Sequence, residues 1–215
     1  KEHFGPAYYH FVYRDVLFLC LNSEDTAPST ISAGQLQYAR QALAENPAVR
    51  WTLVFLHKPL WTYRDAETDE PLDTGWAQVE MELAGRPHTV FAGHNHNYVL
   101  HQRQGRDYFV LATTGAGSSL RGPLFGQFDH VVWVTMTEAG PRVANLMLEG
   151  IWDKNVRTAR TAEMIDGLIY GRAVSIAAIL GEGGKFREGS TQVRLTNDAD
   201  IPLRISGTFA ADAIL

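Results

Sequence analysis

Short apolar runs alternate with polar stretches along this chain, and the rhythm changes twice. "YYHFVY" (8–13) and "DVLFLCLN" (15–22) are apolar, rich in β-formers and separated by Arg14, which predicts a hairpin or two adjacent strands. In "SAGQLQYARQALAE" (32–45), Leu36, Ala39 and Leu43 fall on one face at helical spacing. Ser32 with Gln35 three residues later predicts a capping box, and Asn46-Pro47 predicts the stop. "RWTLVFL" (50–56) is continuously apolar, the pattern of a strand covered on both faces, and it ends at His57.

A polar, acidic stretch over 61–75, with Pro71 and Gly75, predicts a surface loop, and 76–84 predicts a short amphipathic helix. "HTVFA" (88–92) is a second short buried strand. "YVLHQRQ" and "DYFVLAT" flank Gly105-Arg106 as a hairpin. A glycine-rich loop follows over 113–127. "DHVVWVTMT" and "RVANLMLE" then flank a Glu-Ala-Gly-Pro turn as another hairpin, and a short helix is expected within 159–170. After Gly181 the pattern changes again: "STQVRLTN" and "PLRISGTFA" alternate around an Asp-Ala-Asp turn, as the first strands of a small all-β unit do.

This order predicts an α/β (α+β) fold, a mixed sheet or two stacked sheets with helices outside. The expected divisions are 1–150, a connecting segment at 151–180 with a short helix, and the start of an incomplete β-rich unit at 181–215. The 215 residues, 45% hydrophobic and 20% charged, have the composition of a globular protein with room for one full domain and part of another. A formal charge of −5 gives no electrostatic case for binding nucleic acid or an anionic membrane. No apolar stretch reaches the length of a membrane span. The single cysteine, Cys20, sits in an apolar strand and reads as a packing residue. Two strands at the end form only a marginal unit, and the first residue is not methionine, so the chain is expected to be cut at both ends.

Three histidines share one setting. His57 follows "WTLVFL", and His94 and His96 follow "TVFAG". Ligands gather at the carboxyl ends of strands in sheets with crossover connections. If the two strands are parallel neighbours, the imidazoles converge at one edge. Gly93 is expected to let the backbone turn sharply there, and an i, i+2 pair in extended chain points to one side. Imidazole suits zinc, iron, copper and nickel, and spacing alone does not choose among them. His130 begins an apolar strand and reads as structural, while His3, His10, His88 and His101 have no partner spacing. Asp65, Glu67, Asp69, Glu70 and Asp73 form an acidic loop near His57, a solvated face or a place for an extra cation.

On these motifs the chain resembles the calcineurin-like metallophosphoesterase superfamily, and within it the purple acid phosphatase-like branch. "FGPAYYHFVYRDVLFLCLNSE" (4–24) is similar to the stretch after the family's Gly-Asn-His-[Asp/Glu] motif, and "SAGQLQYARQAL" (32–43) to its next helix. "WTLVFLHKPLW" (51–61) is similar to the strand that ends in a metal-binding histidine, and "GHNHNY" (93–98) to the Gly-His-x-His motif with its following tyrosine. The resemblance covers residues 4–150 and implies part of a four-layer α/β/β/α sandwich. It implies hydrolysis of phosphate mono- or diesters by a dinuclear centre of divalent or mixed-valence ions, zinc, iron or manganese. His57 and His94 would bind one ion and His96 the other. Apart from the resemblance, Arg121 and Tyr98 are substrate-binding candidates: Arg121 reads as a phosphate contact or a solvated loop arginine, and Tyr98 and Trp61 as walls of the site or packing residues.

The family's Asp-x-His, Gly-Asp-x-x-[Asp/Tyr] and Gly-Asn-His motifs do not occur in this chain. The expected catalytic histidine would therefore lie upstream of Lys1, in a segment expected to precede it. Three neutral imidazoles bring no negative charge to two cations, and a bridging carboxylate is needed to hold them together. The segment is thus expected to be inactive alone, within a parent phosphoesterase of the kind that is often secreted. Two other readings stay open: a non-catalytic binding module of the same fold, and three histidines on a single structural zinc.

Overall fold

The computed structural model describes residues 5–171, 173–177 and 190–197, with positions 202, 204 and 206. By contact density the chain divides into two compact units, Lys1–Ala159 and Arg160–Leu215.

The first unit is built on a six-stranded sheet. Strands β1 (Tyr9–Tyr13) and β2 (Val16–Cys20) form the expected hairpin, closed by Arg14 and Asp15 at φ 46° and 59°. Such paired left-handed residues match the twist of the flanking strands. Helix α1 (Ala33–Glu45) carries the chain across to β3 (Trp51–Phe55), and α2 (Trp76–Leu83) to β4 (His88–Ala92). The hairpin β5 (Val99–Arg103) and β6 (Arg106–Val110) completes the sheet in the order β1-β2-β3-β4-β6-β5. Strands β2, β3, β4 and β6 run parallel, and the edges β1 and β5 are antiparallel.

Alternation along the central strands fills two cores. Leu17, Leu19, Val54, Val90 and Tyr108 face α1 and α2, meeting Ala39, Leu43, Val79 and Leu83. Val16, Leu53, Phe91 and Phe109 point to the other face, where they meet a three-stranded antiparallel sheet. Its strands are β7 (Val131–Thr137), β8 (Gly140–Met147) and β9 (Gly150–Asp153). Strand β9 is absent from the sequence reading, because "GIWD" is too short to show a period.

The mixed α/β class therefore stands. Its described layers in this unit are helices, the six-stranded sheet and the three-stranded sheet. The outer side of the last carries exposed Val131 and Trp133, 55% and 62% accessible. Unit 2 holds helix α3 (Ala159–Tyr170), whose first residue closes unit 1, and a hairpin of β10 (Val174–Ile176) with β11 (Val193–Leu195). Most of "PLRISGTFA" lies outside the described residues.

The capping box forms by half. The Gln35 N–H donates to Ser32 Oγ at 3.1 Å, as expected. The Gln35 side chain, however, bonds the Asn22 backbone instead of closing on Ser32. It accepts from Asn22 N–H at 2.6 Å and donates to Asn22 O at 2.9 Å. A buried amide here satisfies chain leaving β2, which otherwise would lack partners. The first turn of α1 is thereby fastened to the loop over residues 22–30.

Candidate functional site

Strands β3 and β4 are parallel neighbours, with Phe55 opposite Phe91. His57 follows two residues after Phe55, and His94 three residues after Phe91. His57 and His94 therefore leave the sheet side by side at its carboxyl edge. Leu56 N–H donates to Phe91 O at 3.1 Å, and Gly93 N–H to His57 O at 2.9 Å, so the two departing segments are tied together. His94 Nδ1 stands 3.1 Å from His57 Nε2, both rings being exposed to solvent. Partial burial, then the neighbouring His57 and Lys58, hold the His94 imidazole below its ordinary pKa, which favours the neutral, ligand-competent form.

The separation is that of a hydrogen bond between the two rings, and it also lies within the span of two nitrogens on one metal ion. Nitrogens bound at about 2.0–2.1 Å stand about 3.3 Å apart at a tetrahedral angle and about 2.9 Å apart at a right angle. The observed 3.1 Å lies between those values.

His96 behaves differently. Its Nδ1 donates to the Gly117 carbonyl at 2.5 Å, which leaves Nε2 as the lone-pair nitrogen. A backbone carbonyl on the far ring nitrogen is the usual way a ligating imidazole is oriented. The glycine-rich loop thus reaches the histidine edge through Gly117. Among the described residues, no three His, Cys, Asp or Glu side chains gather closely enough to hold one ion. The three histidines do not form a single three-ligand site in this arrangement.

Two backbone expectations are corrected. The segment 93–97 is not extended: His94 and His96 take φ of 72° and 52°. Gly93 does not make the turn, since its φ is not left-handed and an added Cβ would meet only His57 O at 3.9 Å. The tight turn forms on the histidines themselves, so the i, i+2 pair points to different partners. A left-handed L-residue costs about 1–2 kcal/mol, and such strain concentrates at functional sites.

The substrate-binding candidates are not at this edge in the arrangement seen. Tyr98 is fully buried (0%), packs on Phe128 and His130, and donates its hydroxyl to Lys154 O at 2.6 Å. Burial pushes that phenol up to about 12, and as placed it is a packing residue. Arg121 folds back on its own loop, with Nε donating to Gln127 Oε1 at 2.8 Å and its guanidinium 4.1 Å from the Phe125 ring centre. Trp61 packs into the core with Trp76 and Tyr108. In the acidic loop, Asp65 accepts from the N–H groups of Glu67 and Thr68, and Asp69 pairs with Arg64. Those carboxylates stabilise a turn. His3 lies outside the described residues.

Sequence reasoning passed over two charged residues. Lys58 directly follows His57, and its ammonium pairs with Glu24 and donates to Ser29 Oγ at 3.0 Å. Both charges are felt at His94. The signal was present in "HKPLW" and "NSE", but nothing in the spacing joins residues so far apart.

No protein-family model matches the chain. No curated protein matches it. Among solved structures, one similar chain is "Putative 5'-Nucleotidase from Staphylococcus aureus in complex with alpha-ketoglutarate", 14% identical with a TM-score of 0.38. The match covers 68% of this chain and 29% of that one, so this chain spans under a third of that structure's length. A likeness this slight shows neither a family nor an activity for this chain.

Proposed function

We propose that this chain contributes histidine ligands to the dinuclear metal centre of a phosphate-ester hydrolase of the metallophosphoesterase type, acting on mono- or diesters. The observation that carries the reading is the His57 Nε2 to His94 Nδ1 separation of 3.1 Å at the carboxyl ends of two parallel strands. His57 and His94 hold one ion and His96, oriented by Gly117, holds the other. Bound divalent ions would lower the pKa of a water and stabilise charge on a phosphoryl group. The imidazoles supply neutral nitrogen ligands, and the ties between 57 and 93 fix their spacing. Carboxylates that bridge two cations must come from outside the groups gathered here, so this segment binds metal weakly and does not turn substrate over by itself. In the same reading, a fourth, helical layer covers Val131 and Trp133.

Titration of the chain with cobalt(II), followed by visible absorption, tests this. The expected result is weak binding that is lost in His57→Ala and His94→Ala and kept in His88→Ala. Absence of binding, or binding indifferent to His57, overturns the reading.

A further inference from the structure

Lys58 has more ties than an exposed lysine needs. Its N–H donates to Ser23 Oγ at 3.0 Å, and Ser23 is itself buried. Its carbonyl accepts from Leu60 N–H at 2.9 Å. Its ammonium donates to Ser29 Oγ at 3.0 Å and pairs with Glu24. The Lys58 side chain is only 16% accessible, although Glu24 remains 41% accessible. Every side-chain partner lies in the loop over residues 22–30. That loop is anchored in turn to α1 by the Asn22–Gln35 pair and by Asp25, which accepts from Ser32 Oγ. Ser29, which presents the hydroxyl, sits at φ 58°, so the loop is shaped to bring it there.

The consequence falls on His57. Its ring is exposed, and its one described ring partner is His94. An exposed imidazole between two rotatable bonds does not hold a ligand geometry unless its backbone is fixed. His57 O is fixed by Gly93, and on the C-terminal side the next residue, Lys58, is held both by its N–H on Ser23 Oγ and by its ammonium on Ser29 Oγ and Glu24.

We propose that Lys58, clamped by Glu24 and Ser29, is a positioning residue that aims His57 at His94. The clamp deepens the metal-site reading given above and rests on it for its purpose. As a half-exposed ion pair it adds little to global stability. Its effect is therefore local to the histidine pair, and that separates positioning from general support.

The test is long-range proton–nitrogen NMR of the histidine rings in the metal-free chain, comparing wild type with Lys58→Met, Glu24→Gln and Lys58→Arg. In the wild type, the His57 and His94 rings each hold one tautomer, one nitrogen donating to the other. Lys58→Met and Glu24→Gln bring both rings to averaged tautomer shifts, leave His88 and His130 unchanged, and Lys58→Arg restores the wild-type pattern. Unchanged His57 and His94 signals in the folded Lys58→Met or Glu24→Gln protein overturn the clamp, as do averaged rings in the wild type. If Lys58→Met fails to fold, Glu24→Gln decides alone, because it alters only the more exposed end of the ion pair and leaves the largely buried lysine side chain in place. A cobalt(II) titration separates this outcome from the metal reading. Expected there is an affinity lower by roughly 10-fold in Lys58→Met, the lower end for loss of an orienting partner. Failure of the wild type to bind cobalt defeats the metal reading while the NMR result still decides the clamp.

Discussion

His94 and His96 occupy backbone conformations that glycine would adopt without strain, while the glycine beside them does not need its freedom. Left-handed strain at two histidines beside an unstrained glycine is what the metal-site proposal expects of residues needed for their side chains. His94→Gly is expected to raise stability by up to about 1 kcal/mol in urea denaturation, by relieving left-handed strain, while abolishing cobalt binding. Gly93→Ala is expected to change stability by no more than about 0.5 kcal/mol, since its Cβ has ordinary room. A destabilised His94→Gly protein would show that the ring contributes packing and not only a ligand.

At the scale of elements, the site depends on loops seated by single close approaches. Gly126 has φ 67°, and a Cβ there would stand 2.4 Å from the Tyr98 carbonyl oxygen and 2.8 Å from its nitrogen. Tyr98 N–H donates to Gly126 O at 2.7 Å. Gly126→Ala is therefore expected to cost more than about 2 kcal/mol and to raise cleavage within 113–125 by a nonspecific protease. Unaltered cleavage would mean that the loop is seated elsewhere. The elements themselves were largely legible: α1 from its three-residue cap spacing, β3 and β4 from continuous apolar runs, and β7 with β8 from the turn between them. Strand order was not, because the parallel pairing of β3 with β4 is set by helix crossovers that no local period records. The site was legible in part for the same reason. His57 and His94 could be placed at strand ends, but the Gly117 carbonyl has no side chain to mark it, and Glu24 meets Lys58 only through tertiary structure. The buried placement of Tyr98 is not legible, because a tyrosine after Gly-His-x-His looks alike in sequence whether it faces solvent or core.

For the molecule as a whole, the buried histidines govern behaviour in mild acid. His130 is neutral by geometry: Ala112 N–H donates to its Nε2 at 3.1 Å, so Nδ1 donates to Asn145 Oδ1 at 2.9 Å. Burial holds His130 and His88 below their ordinary pKa, and it pushes His101 down to about 4. Depressed values mean that the unfolded chain binds more protons between the two states' pKa values, so stability rises with pH in that window. The histidine contribution is fully present above about pH 6.5 and is lost as pH falls toward 4. Urea midpoints are expected to decline from pH 6.5 downward, before the carboxylates titrate, and His101→Leu should flatten the decline. A midpoint constant between pH 6.5 and 5 would contradict the assignment.

The most direct test of the central claim is an anomalous difference map from crystals of this chain soaked in zinc chloride. The account predicts a peak about 2.1 Å from both His57 Nε2 and His94 Nδ1, with His96 outside that coordination sphere. Zinc held by all three histidines together, or absent from the His57–His94 pair, would contradict it.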